Sequence, residues 1–137
     1  MPTQLFFDLT TSAVPVHFCE RHEFETIEAE LAENQVAVMP IDGTSLRCRD
    51  DLFRAFAVAF RKPKGWYGEE EYAPNADAFL EYVDDVEQWV PAKGRVAIIS
   101  NAEQFWREQP RIAALLVELW QFATIGRSAK THLLFVW

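Results

Sequence analysis

The chain has 137 residues and a formal net charge of -8; half of its residues are hydrophobic and 14% are aromatic. This composition excludes a disordered chain, and the excess of acids argues against a function that depends on binding nucleic-acid phosphates. The first residues show no basic secretory leader, and no uncharged run approaches the roughly 20 residues of a membrane span. We therefore expect a cytoplasmic protein that binds neither nucleic acid nor a membrane directly.

Residues 1–34 contain two short apolar runs, 5–9 and 14–18, which are candidates for a β-hairpin. Hydrophobic residues at spacings of three and four between 23 and 33 then predict a short amphipathic helix. We expect this region to be an N-terminal extension packed on the same domain, and residues 35–137 to form the main α/β domain.

The main domain begins with a β-rich run over 36–41, which the turn signal Asp42-Gly43 closes. Asp50-Asp51 then places negative charge at a helix start, and the hydrophobic residues of 52–60 recur at helical spacing. This pattern predicts a strand followed by a helix with an aromatic core face.

Two further strands are predicted, at 95–100 and 131–137. Between them, Asn101 suits the N-cap of a short helix through Trp106, and Pro110 suits the first turn of a longer one. The core stripe of the longer helix is expected to comprise Ile112, Leu115, Leu116, Leu119 and Phe122 or Ala123, ending at Gly126. Strands that alternate with helices predict a small three-stranded parallel sheet packed with helices.

The two cysteines, Cys19 and Cys48, lie far apart without a CxxC pair, so we expect free thiols. His17, His22 and His132 are isolated in the sequence and show no metal-ligand spacing. We therefore expect neither a metal nor a cofactor.

The segment from Trp66 to Trp89 contains eight acids and no Lys or Arg. Aromatic residues flank the acids, and Tyr and Trp often anchor protein interfaces. The segment therefore predicts a binding surface for a basic partner. The acids are Glu69, Glu70, Glu71, Asp77, Glu81, Asp84, Asp85 and Glu87, and the aromatic residues are Trp66, Tyr67, Tyr72, Tyr82 and Trp89.

Asn75 is a good N-cap for a predicted helix over 76–88. The helical period places one apolar stripe toward the core and the acids on the opposite face. The expected core stripe is Ala76, Phe79, Leu80, Val83 and Val86, and the expected polar face is Asp77, Glu81, Asp84, Asp85 and Gln88.

A polar helix face is often only solvated charge, but two features of this one favour binding. Asp84, Asp85 and Glu87 approach the C-terminal end of the helix, where the helix dipole disfavours anions. Glu81 forms like-charged i,i+4 pairs with Asp77 and Asp85, each costing about 0.2 to 0.5 kcal/mol. A face selected for stability alone would include Lys.

The order Tyr67-Gly68, Asn75-x-Asp77-Ala78, Glu81, Asp84-Asp85-Val86 and Trp89, followed by an apolar strand, resembles barstar-like proteins. These are intracellular protein inhibitors of a secreted-type ribonuclease. The resemblance covers about 35–137 and implies that Asp77 and Glu81 replace substrate phosphates in the active site of the ribonuclease, with Tyr67 at the rim. The expected partner-binding residues are Tyr67, Asn75, Asp77, Glu81, Asp84, Asp85 and Trp89, and the expected partner is a basic ribonuclease or another basic toxin.

Three departures from the family pattern leave the identity of the partner open. Residues 69–74 lengthen the loop before the helix, and Glu81 replaces the more usual Asp. The segment 119–124 also lacks the acid that the family carries near the end of its last long helix.

Two alternatives belong to other functional classes. An enzyme that uses the carboxylates as an acid/base pair or metal site is disfavoured, because acids on one solvated helix face titrate alike and no catalytic motif is present. A non-enzymatic interaction or regulatory module that binds an unrelated basic protein is the stronger competitor.

Overall fold

The computed structural model describes residues 15–66, 75–124 and 131–137. Within these ranges the chain forms a parallel sheet packed with helices, which confirms the predicted α/β class. The elements are β1 (Val16–Cys19), α1 (Arg21–Glu33), β2 (Ala37–Asp42), α2 (Arg49–Ala59), α3 (Ala76–Trp89), β3 (Arg95–Ser100), α4 (Ala102–Glu108), α5 (Pro110–Thr124) and β4 (Thr131–Val136), with a short 3-10 turn at Gly43–Ser45. No helix in this part of the chain combines the length and apolarity that a membrane crossing needs.

The described sheet has four parallel strands in the order β1-β4-β3-β2, one more than predicted. The additional strand is β1, in which Val16 pairs with Leu133 and Cys19 pairs with Val136 of β4. Residues 5–9, the other half of the predicted hairpin, lie outside the described residues. The pairing of β1 with the last strand joins opposite ends of the chain, which a local sequence pattern does not reveal.

Helices cover both faces of the sheet. The apolar stripe of α1 packs on one face, whereas α2 to α5 cover the opposite face and enclose the larger core. Successive residues of β3 alternate between the two sides: Val96 and Ile98 face α1, and Ala97 and Ile99 face the larger core. β1 is a strand of the same sheet as β2 to β4, and α1 packs on that sheet. The division of the chain at residue 34 into an N-terminal extension and a main domain stays a prediction.

Proline occupies the open edge of β2. Ala37 donates its backbone N–H to Gly94 of the neighbouring chain segment at 3.0 Å. Backbone groups alternate in direction along a strand, so the nitrogen of Pro40 points away from β3. Pro40 therefore occupies a position where a strand tolerates the loss of an N–H donor.

A polar cluster ties the carboxyl ends of β2 and β3 together. Asn101 does precede α4 as predicted, but its backbone is left-handed, with φ 52°, and its side chain makes no capping hydrogen bond. Instead, its amide Nδ2 donates to Asp42 at 3.1 Å, and its Oδ1 accepts from Arg21 at 3.1 Å. The backbone N–H of Thr44, followed by the Asn101 amide, lowers the pKa of Asp42.

The buried face of α5 differs from the predicted stripe. Ala113 and Trp120 are buried in addition to Leu116 and Leu119, whereas Ile112 and Leu115 are only half-buried. Trp120, which is not part of the predicted stripe, is fully buried, and its Nε1 donates to the carbonyl oxygen of Thr131 at 3.3 Å. Of the two alternatives at the end of the stripe, Ala123 packs against the core, whereas Phe122 is 68% exposed. Gly126, the predicted helix end, lies outside the described residues.

Two histidines that are isolated in the sequence meet in the structure. His17 Nε2 and His132 Nδ1 lie 2.9 Å apart, and the two rings have centroids 5.1 Å apart. His132 is completely buried. The pair links β1 to β4, so it contributes to holding the additional strand on the sheet.

Both cysteines are free thiols, as predicted, and their environments differ. Cys19 is buried at the end of β1, whereas Cys48 is exposed at the start of α2. Burial, with a smaller effect of Glu23, raises the pKa of Cys19 from 9.0 to about 11.

Candidate functional site

The acidic helix α3 begins at the predicted cap. The Asn75 side-chain oxygen accepts the backbone N–H of Ala78 at 2.8 Å, which satisfies one of the donors at the helix start. Asp77 lies in the first turn, where the helix dipole favours an anion. Asn75 therefore has a structural role that explains its presence, whether or not it also contacts a partner.

Aromatic packing holds α3 against the neighbouring helices. The ring centroid of Phe79 lies 5.9 Å from that of Phe53, 5.2 Å from that of Phe56 and 6.4 Å from that of Trp120. The buried residues of α3 are Ala78, Phe79, Tyr82, Val83 and Val86. A helix anchored by so many buried rings presents its outer side chains from a rigid support.

Tyr82 belongs to this core and not to the acidic surface. We expected Tyr82 to be one of the aromatic residues flanking the acids, but it is completely buried. It follows Phe79 by three residues and Ala78 by four, so the helical period places it on the same face as both. Leu80, predicted for the core stripe, is only half-buried.

The structure places Asp77, Glu81 and Asp84 on the exposed surface of α3. Their spacings of four and three residues bring them onto one face of the helix. Asp85 is half-buried and accepts a hydrogen bond from Gln88 at 3.2 Å. The exposed anionic row is therefore made by the first three acids, and Asp85 lies at its flank.

A buried arginine stabilises the C-terminal end of α3, a feature that the sequence reading missed. Arg95, at the start of β3, is 2% exposed and donates to the carbonyl oxygens of Val90 at 3.2 Å and Ala92 at 3.3 Å. It also donates to the Thr131 hydroxyl at 3.1 Å and lies 3.8 Å from the Glu87 carboxylate. Burial lowers the pKa of Arg95, and the nearby carboxylate opposes that effect.

Arg95 changes the interpretation of the acids near the helix end. A cation beside the last carbonyl groups of a helix interacts favourably with the helix dipole and offsets the negative charge of nearby acids. Glu87 therefore has a structural explanation that the sequence alone did not supply. The sequence signal for the role of Arg95 is that it is a single Arg at the start of an otherwise apolar strand.

Aromatic residues lie beside the same end of α3. Trp89 is half-buried, and its ring centroid lies 5.7 Å from that of Trp66 at an interplanar angle of 83°. On its other side, Trp89 contacts the buried ring of Tyr82 at 6.1 Å. The predicted site residue Tyr67 lies outside the described residues.

The described part of the chain presents Asp77, Glu81 and Asp84 as surface charge. It contains no group of three His, Cys, Asp or Glu side chains arranged to hold a metal ion. What α3 does present is an anionic face on a rigid helix, with an aromatic pair at its end. Such a surface is suited to recognising a cationic surface of similar extent.

A protein-family model described as Barstar (barnase inhibitor) matches residues 36–136. The match includes α3 and the strands β2, β3 and β4, and it leaves β1 and α1 outside. A search of curated proteins finds no significant match.

Proposed function

The chain belongs to the barstar family, and we propose that it is a protein inhibitor that blocks the basic active site of a ribonuclease with the acidic face of α3. The family binds barnase-like ribonucleases, and its members are inhibitors rather than enzymes. In this proposal the protein is an antitoxin or immunity protein that acts in the cytoplasm and uses no cofactor.

One observation carries the proposal: Asp77, Glu81 and Asp84 are exposed together on a helix that buried rings hold in place. A ribonuclease active site binds phosphates with Arg and Lys side chains, and a row of carboxylates offers those side chains equivalent acceptors. Because the helix is already rigid, little conformational entropy is lost when the carboxylates bind.

Within this surface the residues have different roles. Asp77 and Glu81 are the main anchors, and Asp84 and Asp85 extend the negative field. Asn75 supports the helix start through its cap, and Tyr67 is expected at the rim of the contact. The net charge of -8 steers a basic partner toward the protein, so association is expected to be fast and to slow with added salt.

The test is a double variant, Asp77→Asn with Glu81→Gln, that keeps the shape of both side chains and removes both charges. A hydrogen bond to a charged group contributes about 1.5 to 3 kcal/mol, so we expect the loss of two such bonds to lower affinity by about a hundredfold to ten-thousandfold. Binding to barnase, and to any small basic ribonuclease encoded beside this gene, is measured by surface plasmon resonance at several salt concentrations.

The matched control is Glu25→Gln with Glu28→Gln on α1, which removes the same total charge from another exposed helix. This control is expected to slow association slightly and to leave dissociation unchanged, because it alters only the long-range field. Equal losses of affinity in the two double variants would show that α3 is not the binding face.

A second candidate function is an interaction module whose basic partner is not a nuclease. The observation in its favour is the end of α5, where Phe122 is 68% exposed and no acid occurs over 119–124. A partner that contacts this region would meet an apolar surface there. Recovery of a nuclease or of another basic protein with the tagged chain decides between the two.

A further inference from the structure

Aromatic side chains remain exposed where β1 forms the edge of the sheet. Phe18 is 50% exposed and Trp137 is 40% exposed, and their ring centroids lie 6.1 Å apart. Phe18 also stacks on Phe135 at 5.1 Å and lies 6.3 Å from the half-buried ring of Trp106 on α4. These contacts hold Phe18 in place and leave half of it open to solvent. Exposed apolar patches of this kind mark interaction sites.

An acidic crevice adjoins these rings. Trp137 lines an open crevice of about 720 Å³ whose other lining residues lie on α4 and where α1 begins. These two helices lie on opposite faces of the sheet, and crevices where such connections diverge are common binding positions in α/β proteins. The three carboxylates of the crevice outnumber its one guanidinium, which donates to Asn101. The charged and polar lining residues are Glu20, Arg21, His22, Glu25 and Glu103.

The backbone of β1 presents hydrogen-bonding groups at its outer edge. The carbonyl oxygens of Pro15 and Cys19 accept backbone N–H groups of the chain segment that contains β4, at 2.8 Å. Backbone direction alternates along a strand, so the N–H and C=O groups of Phe18 point away from β4. β1 contains no proline, whereas Pro40 lies in β2 at the opposite edge of the sheet. The geometry of β1 therefore suits the addition of an extended segment as a further strand.

The charge of the crevice determines which kind of segment fits this edge. A second copy of the chain carries a net charge of -8. Residues 1–14, which precede β1, contain Asp8 and no Lys, Arg or His. Neither complements an excess of carboxylates. A segment with a Lys or Arg next to an apolar residue complements both the crevice and the exposed rings.

We propose that the β1 edge binds an extended basic segment of a partner protein, which pairs with β1 as a further strand. An apolar side chain of this segment rests on Phe18 and Trp137, and a neighbouring Lys or Arg lies in the acidic crevice. None of these residues lies on α3, so the surface is separate from the one proposed to block a ribonuclease. The family model also leaves β1 and α1 outside its match.

The test uses fluorescence anisotropy of a labelled octapeptide in which lysine alternates with valine or phenylalanine. A second peptide carries glutamate in place of each lysine. We expect the full chain to bind the basic peptide saturably and the acidic peptide not at all. Glu25→Gln with Glu103→Gln is expected to weaken binding about tenfold. The matched control, Glu28→Gln with Glu108→Gln, changes the same two helices outside the crevice and should cost less than about twofold.

Two further measurements test the ring and the strand pairing. Phe18→Ala is expected to weaken binding about tenfold, whereas Phe122→Ala, which removes another exposed ring, should leave it unchanged. Because Phe18 also supports β1 through Phe135, two N-methylated forms of the basic peptide test the pairing without altering the protein. Methylation along one edge of the peptide should abolish binding, and methylation along the other edge should preserve it.

Absence of binding by the basic peptide, equal binding of the two peptides, or equal losses in the two glutamine variants overturns the proposal. Full binding by both N-methylated peptides overturns the strand pairing. Tighter binding by Phe6→Ser with Phe7→Ser assigns the surface to residues 1–14, and a dimer that the peptide dissociates assigns it to a second copy; either result overturns a separate partner. Asp77→Asn with Glu81→Gln should retain peptide binding, and a loss there overturns the location. These outcomes leave the proposed ribonuclease inhibition untouched.

Discussion

Replacing Arg95 with Ala is expected to destabilise the fold far more than the loss of a surface arginine does. The Arg95 guanidinium donates hydrogen bonds to the buried Val90 carbonyl and the buried Thr131 hydroxyl, and both acceptors lose this charged donor in the variant. At about 1.5 kcal/mol for each hydrogen bond, the loss is about 3 kcal/mol. The exposed Glu87 carboxylate, at 3.8 Å, adds little. With an unfolding entropy of about 2.1 cal/mol/K per residue, the melting temperature falls by about 10 °C.

Urea denaturation followed by tryptophan fluorescence, together with a thermal melt followed by circular dichroism, measures the effect of Arg95→Ala. Arg107→Ala is the control: Arg107 is exposed on α4 and lies 4.0 Å from Glu103 in an i,i+4 ion pair. That variant is expected to lose less than about 0.5 kcal/mol. If Arg95→Ala stays within about 1 kcal/mol of the wild type, the role assigned to Arg95 at the end of α3 is wrong.

Three further predictions concern close packing, thiol reactivity and proton binding. Gly43→Ala is expected to cost about 1 to 3 kcal/mol in denaturation, because the added methyl would lie 2.7 Å from the Ser100 carbonyl oxygen; a loss below about 0.5 kcal/mol would contradict this. At pH 8 a thiol reagent should modify exposed Cys48 quickly and buried Cys19 only after unfolding. Since the folded-state pKa of Cys19 is raised from 9.0 to about 11, stability should fall as pH rises through that interval, and Cys19→Val should remove this fall.

The start of α3 was predictable because its signals are local. Asn75 caps the helix through a hydrogen bond to a residue three positions away, and the apolar period follows directly. The predicted range 76–88 differs from the observed helix by one residue. The same kind of signal located β3, whose unbroken apolar run reflects cover on both faces.

Features that depend on distant pairing escaped the sequence reading. The contact of β1 with β4 and the meeting of His17 with His132 join residues from the two ends of the chain. Arg95 lies in a strand but acts on the end of a helix, and Tyr82 is buried where an exposed aromatic was expected. In each case tertiary contacts determine where the residue lies, and local sequence propensity does not encode such contacts.

Pro40 has a consequence for self-association through the edge of the sheet. The outer edge of β2 is the kind of template on which strands of other molecules stack during aggregation. Pro40 has no backbone N–H, so it interrupts the row of hydrogen-bond donors in the middle of β2. Pro40 therefore disfavours edge-to-edge stacking between copies of this chain.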